Sequence, residues 1–240
     1  MELIVGTSGY SYKEWKGNFY PEDLAASKML SWYAGRFRGV EINNSFYRMP
    51  VVKTVEQWGS QVGDAFRFAI KAPQRITHQK RLVDTADDVR YLFETAAVLG
   101  EKLGPVLFQL PPFFRKDTGR LRDFLAAVPQ EPEVAFEFRH ASWFDEEVYD
   151  VLRDFNVALC GADTDDAPLA DQQTVATSDW GYLRLRRLEY TAGDLQRWGK
   201  RIEEMNWKRA YVFFKHEDEG KGPQFAAEFE RQLREAASSF

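Results

Sequence analysis

The stretch VEINNSFYR, residues 40–48, begins as a buried strand and ends as a polar, aromatic loop. Successive side chains of a strand point to opposite faces, so Glu41 and Asn43 share one face. A carboxylate and an amide on a buried strand are costly unless other polar groups meet them. The stretch therefore predicts a strand whose carboxyl end opens into a polar pocket.

The same short apolar pattern recurs along the whole chain. Eight runs, rich in β-branched and aromatic residues, have the length expected of strands buried on both faces. They are LIVG (3–6), GVEIN (39–43), FRFAIK (66–71), PVLFQL (105–110), EVAFEFR (133–139), VALCGAD (157–163), YLRLR (182–186) and AYVFFK (210–215).

Helical patterns lie between most of these runs. Residues 85–103 place apolar side chains at the helical period, as do several other segments. Those further segments are residues 27–37, 118–128, 146–155, 191–205 and 222–237. Residues 164–180, after the sixth run, show no helical stripe, so we expect an irregular crossover there.

Eight β units alternating with helices, without a linker or a change in composition, predict a single α/β domain over residues 1–240. The architecture that fits is a (β/α)8 barrel, or TIM barrel. A doubly wound open sheet is the alternative. It is disfavoured because GTSGY, after the first run, is not followed by the helix start of a phosphate-binding fingerprint.

Composition limits the class of protein. The net charge of −5 provides no global basic field for nucleic acid or membranes, so any anion site must be local. Cys160 is the only cysteine, which excludes an internal disulfide and fits a reducing compartment. Strand-like sequence begins at Leu3, and no apolar run reaches membrane-spanning length. We therefore expect a cytoplasmic protein without a membrane partner.

Candidate site residues were sought at the carboxyl ends of the strands, where barrel active sites lie. Three pairs there are spaced by two residues and so share a face: Glu41 with Asn43, Glu137 with Arg139, and Arg184 with Arg186. Further candidates at these ends or in the loops that follow are Tyr10, Trp15, Phe46, Lys71, His78, Gln109, His140 and Trp143.

Structural explanations remain open for these residues. Glu41 and Glu137 could neutralise Lys71 and Arg184 in a buried ion network that serves packing. His140 could brace the loop that follows its strand, and the aromatic side chains could pack at the rim.

Six motifs in order carry a resemblance to a known family. They are GTSGYSYKEWKGNFYP (6–21), VEINNSFYRMP (40–50), FRFAIKAPQRITH (66–78), GPVLFQLPP (104–112), FEFRHASW (136–143) and YLRLRR (182–187). The chain resembles the domain of unknown function 72 family, also called YecE-like, from Gly6 to about Gln224. The resemblance implies a TIM barrel and assigns no reaction. The motif positions that match are Glu41, Asn43, Ser45, Phe46, Lys71, Thr77, His78, Gln109, Glu137, Arg139, His140, Ser142, Trp143 and Arg184.

Two departures from the family pattern add cations at the barrel mouth. Many members have a histidine in the seventh strand where this chain has Arg186. Many members also end the eighth strand in Phe-Asn-Asn, where this chain reads FFKHEDEG, residues 213–220. A mechanism that needs the strand-seven histidine as a base is therefore in doubt here.

We expect a metal-independent enzyme that acts on an anionic substrate, such as a phosphate-bearing sugar, nucleotide or nucleic-acid strand. Glu41, Glu137 and His78 are the candidates for acid–base catalysis. The side chains expected to hold the substrate are Tyr10, Trp15, Asn43, Phe46, Lys71, Gln109, Arg139, His140, Trp143, Arg184 and Arg186. Guanidinium groups suit phosphate or carboxylate because their donors match these anions in pairs.

Two other classes of function stay open. A divalent-metal enzyme of the sugar isomerase or endonuclease type could use Glu41, Glu137, Asp163, His78 and His216 as ligands, although no two of them show a local metal spacing. A non-catalytic module could instead bind nucleotides or single-stranded nucleic acid through loop aromatics and cations. The oligomeric state does not follow from the sequence.

Overall fold

Eight parallel strands close into a barrel in the computed structural model, which describes residues 1–165, 174–215 and 220–238. Each strand pairs with the next along the chain, and the last pairs with the first. All eight predicted strands are confirmed. They are β1 (Glu2–Ser8), β2 (Gly39–Ile42), β3 (Arg67–Lys71), β4 (Leu103–Gln109), β5 (Val134–Glu137), β6 (Ala158–Asp163), β7 (Trp180–Leu185) and β8 (Arg209–Phe214).

Helices follow most strands and cover the outside of the barrel. They are α1 (Met29–Ala34), α2 (Asn44–Tyr47), α3 (Val52–Ser60), α4 (Ala86–Ala96), α5 (Thr118–Ala127), α6 (Glu146–Asp154), α7 (Ala192–Glu204) and α8 (Lys221–Ser238). The sequence does not predict α3. Val55 is the one buried side chain of this helix and Val52 is exposed, so the segment has no clear apolar stripe.

Side-chain caps define where several of these helices begin. The Asp117 carboxylate accepts from the Arg120 amide at 3.0 Å at the start of α5. Thr191 and Asp194 form a reciprocal capping box at the start of α7. Such caps satisfy amide groups that have no partner within the helix and hold the helix to its preceding loop.

Two apolar layers form the core. The layer between strands and helices is rich in aromatic rings, and Phe108 and Phe136 on neighbouring strands stack at 5.3 Å. The barrel interior is filled by side chains from alternate positions: Ile4, Ala69, Leu107, Ala135, Ala158, Cys160, Trp180, Tyr182, Tyr211 and Phe213. Above this packed level, the charged side chains of Glu41 on β2, Glu137 on β5 and Arg184 on β7 lie towards the carboxyl end of the barrel.

The crossover after β6 falls largely on residues 166–173, which lie outside the described residues. Residues 174–179, which lead into β7, contain no helix or strand. Within the described ranges, no helix combines the length and the apolar character that crossing a membrane requires.

Two glycines let β1 and β2 approach closely. A Cβ atom built on Gly6 would lie 1.9 Å from the Gly39 carbonyl oxygen and 2.8 Å from the Tyr33 hydroxyl. The Tyr33 hydroxyl also donates to the Gly39 carbonyl at 2.9 Å, so neither group can move without losing this contact. A side chain at position 6 would therefore push two barrel strands apart.

We expect Gly6→Ala to lower the free energy of unfolding by about 3 kcal/mol, because the added methyl group overlaps backbone atoms. Gly63→Ala is the matched control, since a Cβ there meets no atom within 4 Å; its effect should stay within about 0.5 kcal/mol. Urea denaturation of both variants measures the difference. Equal stabilities would contradict the close approach of β1 and β2.

Candidate functional site

Arg184 on β7 lies across the barrel between two glutamates. Its Nη2 donates to Glu41 Oε1 at 2.8 Å, and its Nη1 donates to Glu137 Oε2 at 2.5 Å. All three side chains are almost fully buried, with Arg184 2% exposed and both glutamates 0%. The guanidinium thus links β7 to β2 and β5 through the interior of the barrel.

Glu41 is surrounded by donors from β1, from β7 and from Asn43, directly after β2. Ser8 Oγ donates to Oε1 at 2.6 Å, and the Tyr182 hydroxyl donates to Oε2 at 2.7 Å. Asn43 Nδ2 donates to Oε1 at 3.1 Å. Burial opposes ionisation of Glu41, but the charge of Arg184 and these hydrogen bonds outweigh it and lower the pKa. Glu41 is therefore a carboxylate whose two oxygens are both occupied.

Glu137 is held by three guanidinium groups. Besides Arg184, Arg186 Nη2 donates to Oε1 at 2.8 Å, and Arg139 Nε lies 3.5 Å from the same oxygen. Although burial opposes ionisation, the charges of Arg184, Arg186 and Arg139 hold the pKa of Glu137 well below its usual range. The side chain is thus ionised throughout the physiological pH range. We call Glu41, Asn43, Lys71, Glu137, Arg139, Arg184 and Arg186 the mouth cluster.

Lys71 differs from the other cations of the mouth cluster. Its side chain is 8% exposed, and among the described residues its ammonium group has no hydrogen-bond or ion-pair partner. Nζ lies 4.1 Å from the centre of the Phe46 ring. Burial, assisted by the charge of Arg184, lowers the pKa of Lys71 to about 8. Lys71 is therefore a buried amine that can change protonation state near neutral pH.

A short tether positions Phe46 over Lys71. The Ser45 hydroxyl donates to the Lys71 carbonyl oxygen at 2.6 Å and so fixes α2 against the end of β3. His78 also packs against Phe46, with ring centres 4.9 Å apart and the ring planes nearly perpendicular. Phe46 thus contacts both a histidine and an amine.

His78 lies in a π-helical turn, Arg75–Gln79, in the loop after β3. Asp88 on α4 holds this turn through ion pairs with Arg75 and Lys80. Positive φ angles at Arg81, Leu82 and Asp84 follow. π-helical turns and such backbone conformations are concentrated at functional sites. Burial, with the charges of Lys71 and Arg139, lowers the pKa of His78, so its imidazole is neutral at pH 7.

Two buried N–H donors at this end of the barrel have no partner among the described residues. They are Nε2 of Gln109 and Nε of Arg186. Gln109 lies two residues beyond Leu107, which faces the barrel interior, so both side chains share that face. Buried donors without acceptors are rare because each carries an uncompensated desolvation cost. A bound anion would supply the missing acceptors.

The donors of the expected metal site do not converge. Asp163 points to the helical layer, where its Oδ2 accepts from Trp198 Nε1 at 3.0 Å. Arg184 separates Glu41 from Glu137, and His216 lies outside the described residues. Over the three described ranges, no group of three His, Cys, Asp or Glu side chains could hold a metal ion.

Ligand contact by Trp15 and Trp143 stays a prediction, and in this structure both side chains are 0% exposed. Trp143 stacks on Phe138 at 4.5 Å and donates from Nε1 to the Phe114 carbonyl at 2.6 Å. Trp15 packs under Tyr12, with ring centres 4.8 Å apart. Both tryptophans support loops, and neither offers a ring face for stacking.

Two other candidates lie away from the mouth cluster. His140 Nδ1 is 2.8 Å from Ser142 Oγ and accepts from the Ser142 amide, so it braces the loop after β5. Tyr10 packs its ring 6.3 Å from Tyr33, which faces the helical layer. Ligand contact by His140 or Tyr10 stays a prediction.

Sequence reasoning missed Ser8 and Tyr182 as partners of Glu41. Tyr182 precedes Arg184 by two residues and therefore shares its inward face. Ser8 is directly opposite Glu41 in the pairing of β1 with β2. The alternation of side chains along β7 could have identified Tyr182 as a partner of Glu41. Identifying Ser8 requires the register of β1 against β2.

The fold and the mouth cluster define a single-domain TIM-barrel protein with buried charges at the carboxyl ends of its strands. Its sequence matches the family described as "Protein of unknown function DUF72" over residues 4–240. The chain belongs to the DUF72 family, as its motifs predict.

Relatives and solved structures agree with this assignment. The chain is 29% identical over 162 residues to UPF0759 protein YunF of Bacillus subtilis, covering 64% of this chain and 56% of that protein. It is 34% identical over 143 residues to UPF0759 protein YecE of Escherichia coli K12, covering 59% and 50%. The chain thus spans about half the length of these curated relatives.

A DUF72 family protein from Thermotoga maritima has the same fold, with a TM-score of 0.86 at 28% identity over 98% of this chain and 100% of that chain. A DUF72 family protein from Enterococcus faecalis reaches a TM-score of 0.82 at 18% identity, covering 97% and 95%, and supports the fold alone.

We expect Arg184→Met to destabilise the chain by about 3 to 5 kcal/mol at pH 7, because two buried carboxylates lose their shared partner. Arg153→Met, which breaks exposed ion pairs on α6, is the matched control and should cost less than about 1 kcal/mol. Denaturant unfolding measures both.

The pH dependence of the Arg184→Met effect has a definite sign. The pKa values of Glu41 and Glu137 lie below 4.5 in the parent chain, so their contribution to stability exists above that pH and is lost on acidification. Without Arg184 the buried carboxylates bind protons more readily. The stability difference should therefore shrink between pH 7 and pH 5, and a constant difference would contradict the ion network.

We expect Lys71→Met to raise the free energy of unfolding at pH 7 by about 2 kcal/mol, because a desolvated charge is removed. The pKa of Lys71 is about 8 in the folded chain and 10.5 when exposed. Between these values the unfolded parent binds more protons, so parental stability rises with pH. The advantage of the variant should thus vanish near pH 10.5, and a pH-independent advantage would exclude a titrating Lys71.

Proposed function

We propose that this chain is a metal-independent enzyme that binds a small anionic substrate, bearing a phosphate or carboxylate group, at the mouth cluster. The observation that carries the proposal is the buried ammonium group of Lys71, which has no ion-pair or hydrogen-bond partner among the described residues and lies beside a surplus of positive charge. The mouth cluster contains four cationic and two anionic side chains, and both carboxylates are occupied by Arg184 and its neighbours. An anion would neutralise the surplus.

The same arrangement favours an anion over a metal ion. Each oxygen of Glu41 and Glu137 already accepts at least one hydrogen bond, so a cation would have to displace Arg184 or Arg186. The four cationic side chains would also repel a divalent metal. Arg186 and Gln109, by contrast, keep N–H donors available for an incoming acceptor.

The geometry assigns different tasks to the expected catalytic residues. Glu41 and Glu137 have lowered pKa values and buried, occupied oxygens, which suits them to holding Arg184 rather than to transferring protons. Lys71 has a pKa near the working pH of most enzymes, which is what acid–base catalysis requires. His78, neutral and half-buried beside Phe46, is the second candidate for proton transfer.

Calorimetric titration with inorganic phosphate and with glycerol phosphate, at constant ionic strength, tests the anion site. We expect Arg186→Met and Lys71→Met each to weaken binding at least tenfold, since each removes a cation from a desolvated pocket. Lys208→Met is the matched control, because Lys208 is an exposed cation just before β8, at the opposite end of the barrel. Absence of binding to the parent, or equal losses in all three variants, would refute the proposal.

A further inference from the structure

We infer that the anionic substrate also carries a carbonyl group, and that the Lys71 amine attacks this carbonyl and holds it as an imine. This inference rests on the proposed function, because the anionic group of the substrate must be bound for its carbonyl to reach Nζ. It adds a covalent step and narrows the substrate to aldehydes and ketones that bear a phosphate or a carboxylate.

The surroundings of Nζ are those of a nucleophile. A lysine that only balances charge pairs with a carboxylate, and both carboxylates of the mouth cluster are instead engaged by Arg184 and its neighbours. Nζ of Lys71 lies against the ring of Phe46 and has no hydrogen-bond or ion-pair partner among the described residues, so the lone pair of its neutral amine form is not engaged by any of them. Lysines desolvated beside another cation are a known form of activated amine.

The amine is neutral in a useful fraction of molecules near pH 8. Burial disfavours the ammonium form, and the charge of Arg184 disfavours it further, which together lower the pKa of Lys71 to about 8. The negative charges of Glu41 and Glu137 raise the pKa of Lys71, and the positive charges of Arg184 and Arg139 oppose this effect. The arginine–glutamate network thus keeps a positive charge near Lys71 without providing an ion-pair partner for its ammonium group.

Three neighbouring side chains could bind the anionic group and transfer protons. Arg186, directly after β7, and Gln109, at the end of β4, each have an N–H donor without a partner among the described residues. His78 has a hydrogen-bond contact at Nδ1 with Thr77 Oγ1, at 2.9 Å, and none at Nε2 among the described residues. A neutral imidazole that shares the Phe46 ring with the amine is a candidate to carry protons to and from the reacting atoms.

The step balances without a further reagent. The nitrogen lone pair of the neutral Lys71 amine forms a bond to the carbonyl carbon, while the π electron pair moves to oxygen. One of the two nitrogen protons passes to that oxygen, which gives a neutral carbinolamine. The C–O bond then breaks and hydroxide leaves with the second nitrogen proton as water, while the nitrogen lone pair forms the C=N bond. Hydrolysis reverses these events and restores the free Lys71.

Reductive trapping tests the imine. The full chain is incubated with glycolaldehyde phosphate or glyoxylate, and separately with uncharged glycolaldehyde, in the presence of sodium cyanoborohydride, whose hydride reduces C=N to a stable amine. Intact mass and peptide mapping locate the product. We expect one adduct per chain, at Lys71, formed at least tenfold faster with the anionic probes than with glycolaldehyde.

Variants separate Lys71 from other amines. Lys71→Arg keeps the positive charge and should lower adduct formation at least tenfold, whereas Lys208→Arg should leave the rate unchanged. Arg186→Met should slow labelling by the anionic probes and not by glycolaldehyde. In the parent chain, the rate should increase through a single titration near pH 8, as expected for a lysine with the pKa of Lys71.

The outcomes distinguish the two proposals. Adducts spread over exposed lysines and absent from Lys71, in a chain that still binds glycerol phosphate, would overturn the imine and leave the proposed function standing. Failure of the parent chain to bind phosphate would overturn the proposed function itself. Equal rates for charged and uncharged aldehydes at Lys71 would overturn the assignment of an anionic carbonyl substrate.

Discussion

The pairing of Arg184 with Glu41 and Glu137 is the interaction on which the carboxyl end of this barrel depends. Three buried charges can remain ionised together only because one guanidinium serves two carboxylates at 2.8 Å and 2.5 Å. The pairing spans the barrel from β7 to β2 and β5, so it fixes the pocket walls relative to one another. The pairing also engages both carboxylates. Lys71 is therefore left without an ion-pair partner among the described residues.

The repeating pattern of the sequence predicts the barrel and the layer that carries the charges. Eight short apolar runs alternate with helical stripes, and the polar residues at the strand ends are spaced by two, which places Glu137 with Arg139 and Arg184 with Arg186 on single faces. Which of these charged side chains form ion pairs does not follow from neighbouring positions in the sequence. Glu41 meets Arg184 rather than Lys71 because of the register around the closed sheet, to which every strand contributes.

Loop residues were harder to place for a related reason. Trp15 and Trp143 occur in polar, aromatic loops. The sequence of such a loop does not show whether the ring faces the mouth cluster or packs beneath the loop. The deciding contacts, such as the stacking of Trp143 on Phe138, form between parts of the loop that fold back on a strand. Phe46, from a similar loop, does lie against Lys71 of the mouth cluster, because Ser45 ties its short helix to the end of β3.

At Arg186, a departure from the family pattern changes which groups near Glu137 can exchange protons. The resemblance to the family implies a histidine at this position, a group that could exchange protons with Glu137. Arginine cannot, since it stays charged, and its hydrogen bond to Glu137 adds a third guanidinium, beside those of Arg184 and Arg139, to that carboxylate. Glu137 is thereby held in its ionised form, while the mouth cluster gains positive charge. Under the proposed function, proton transfer would depend on groups with pKa values nearer neutrality, and Lys71 and His78, which share the ring of Phe46, are the candidates.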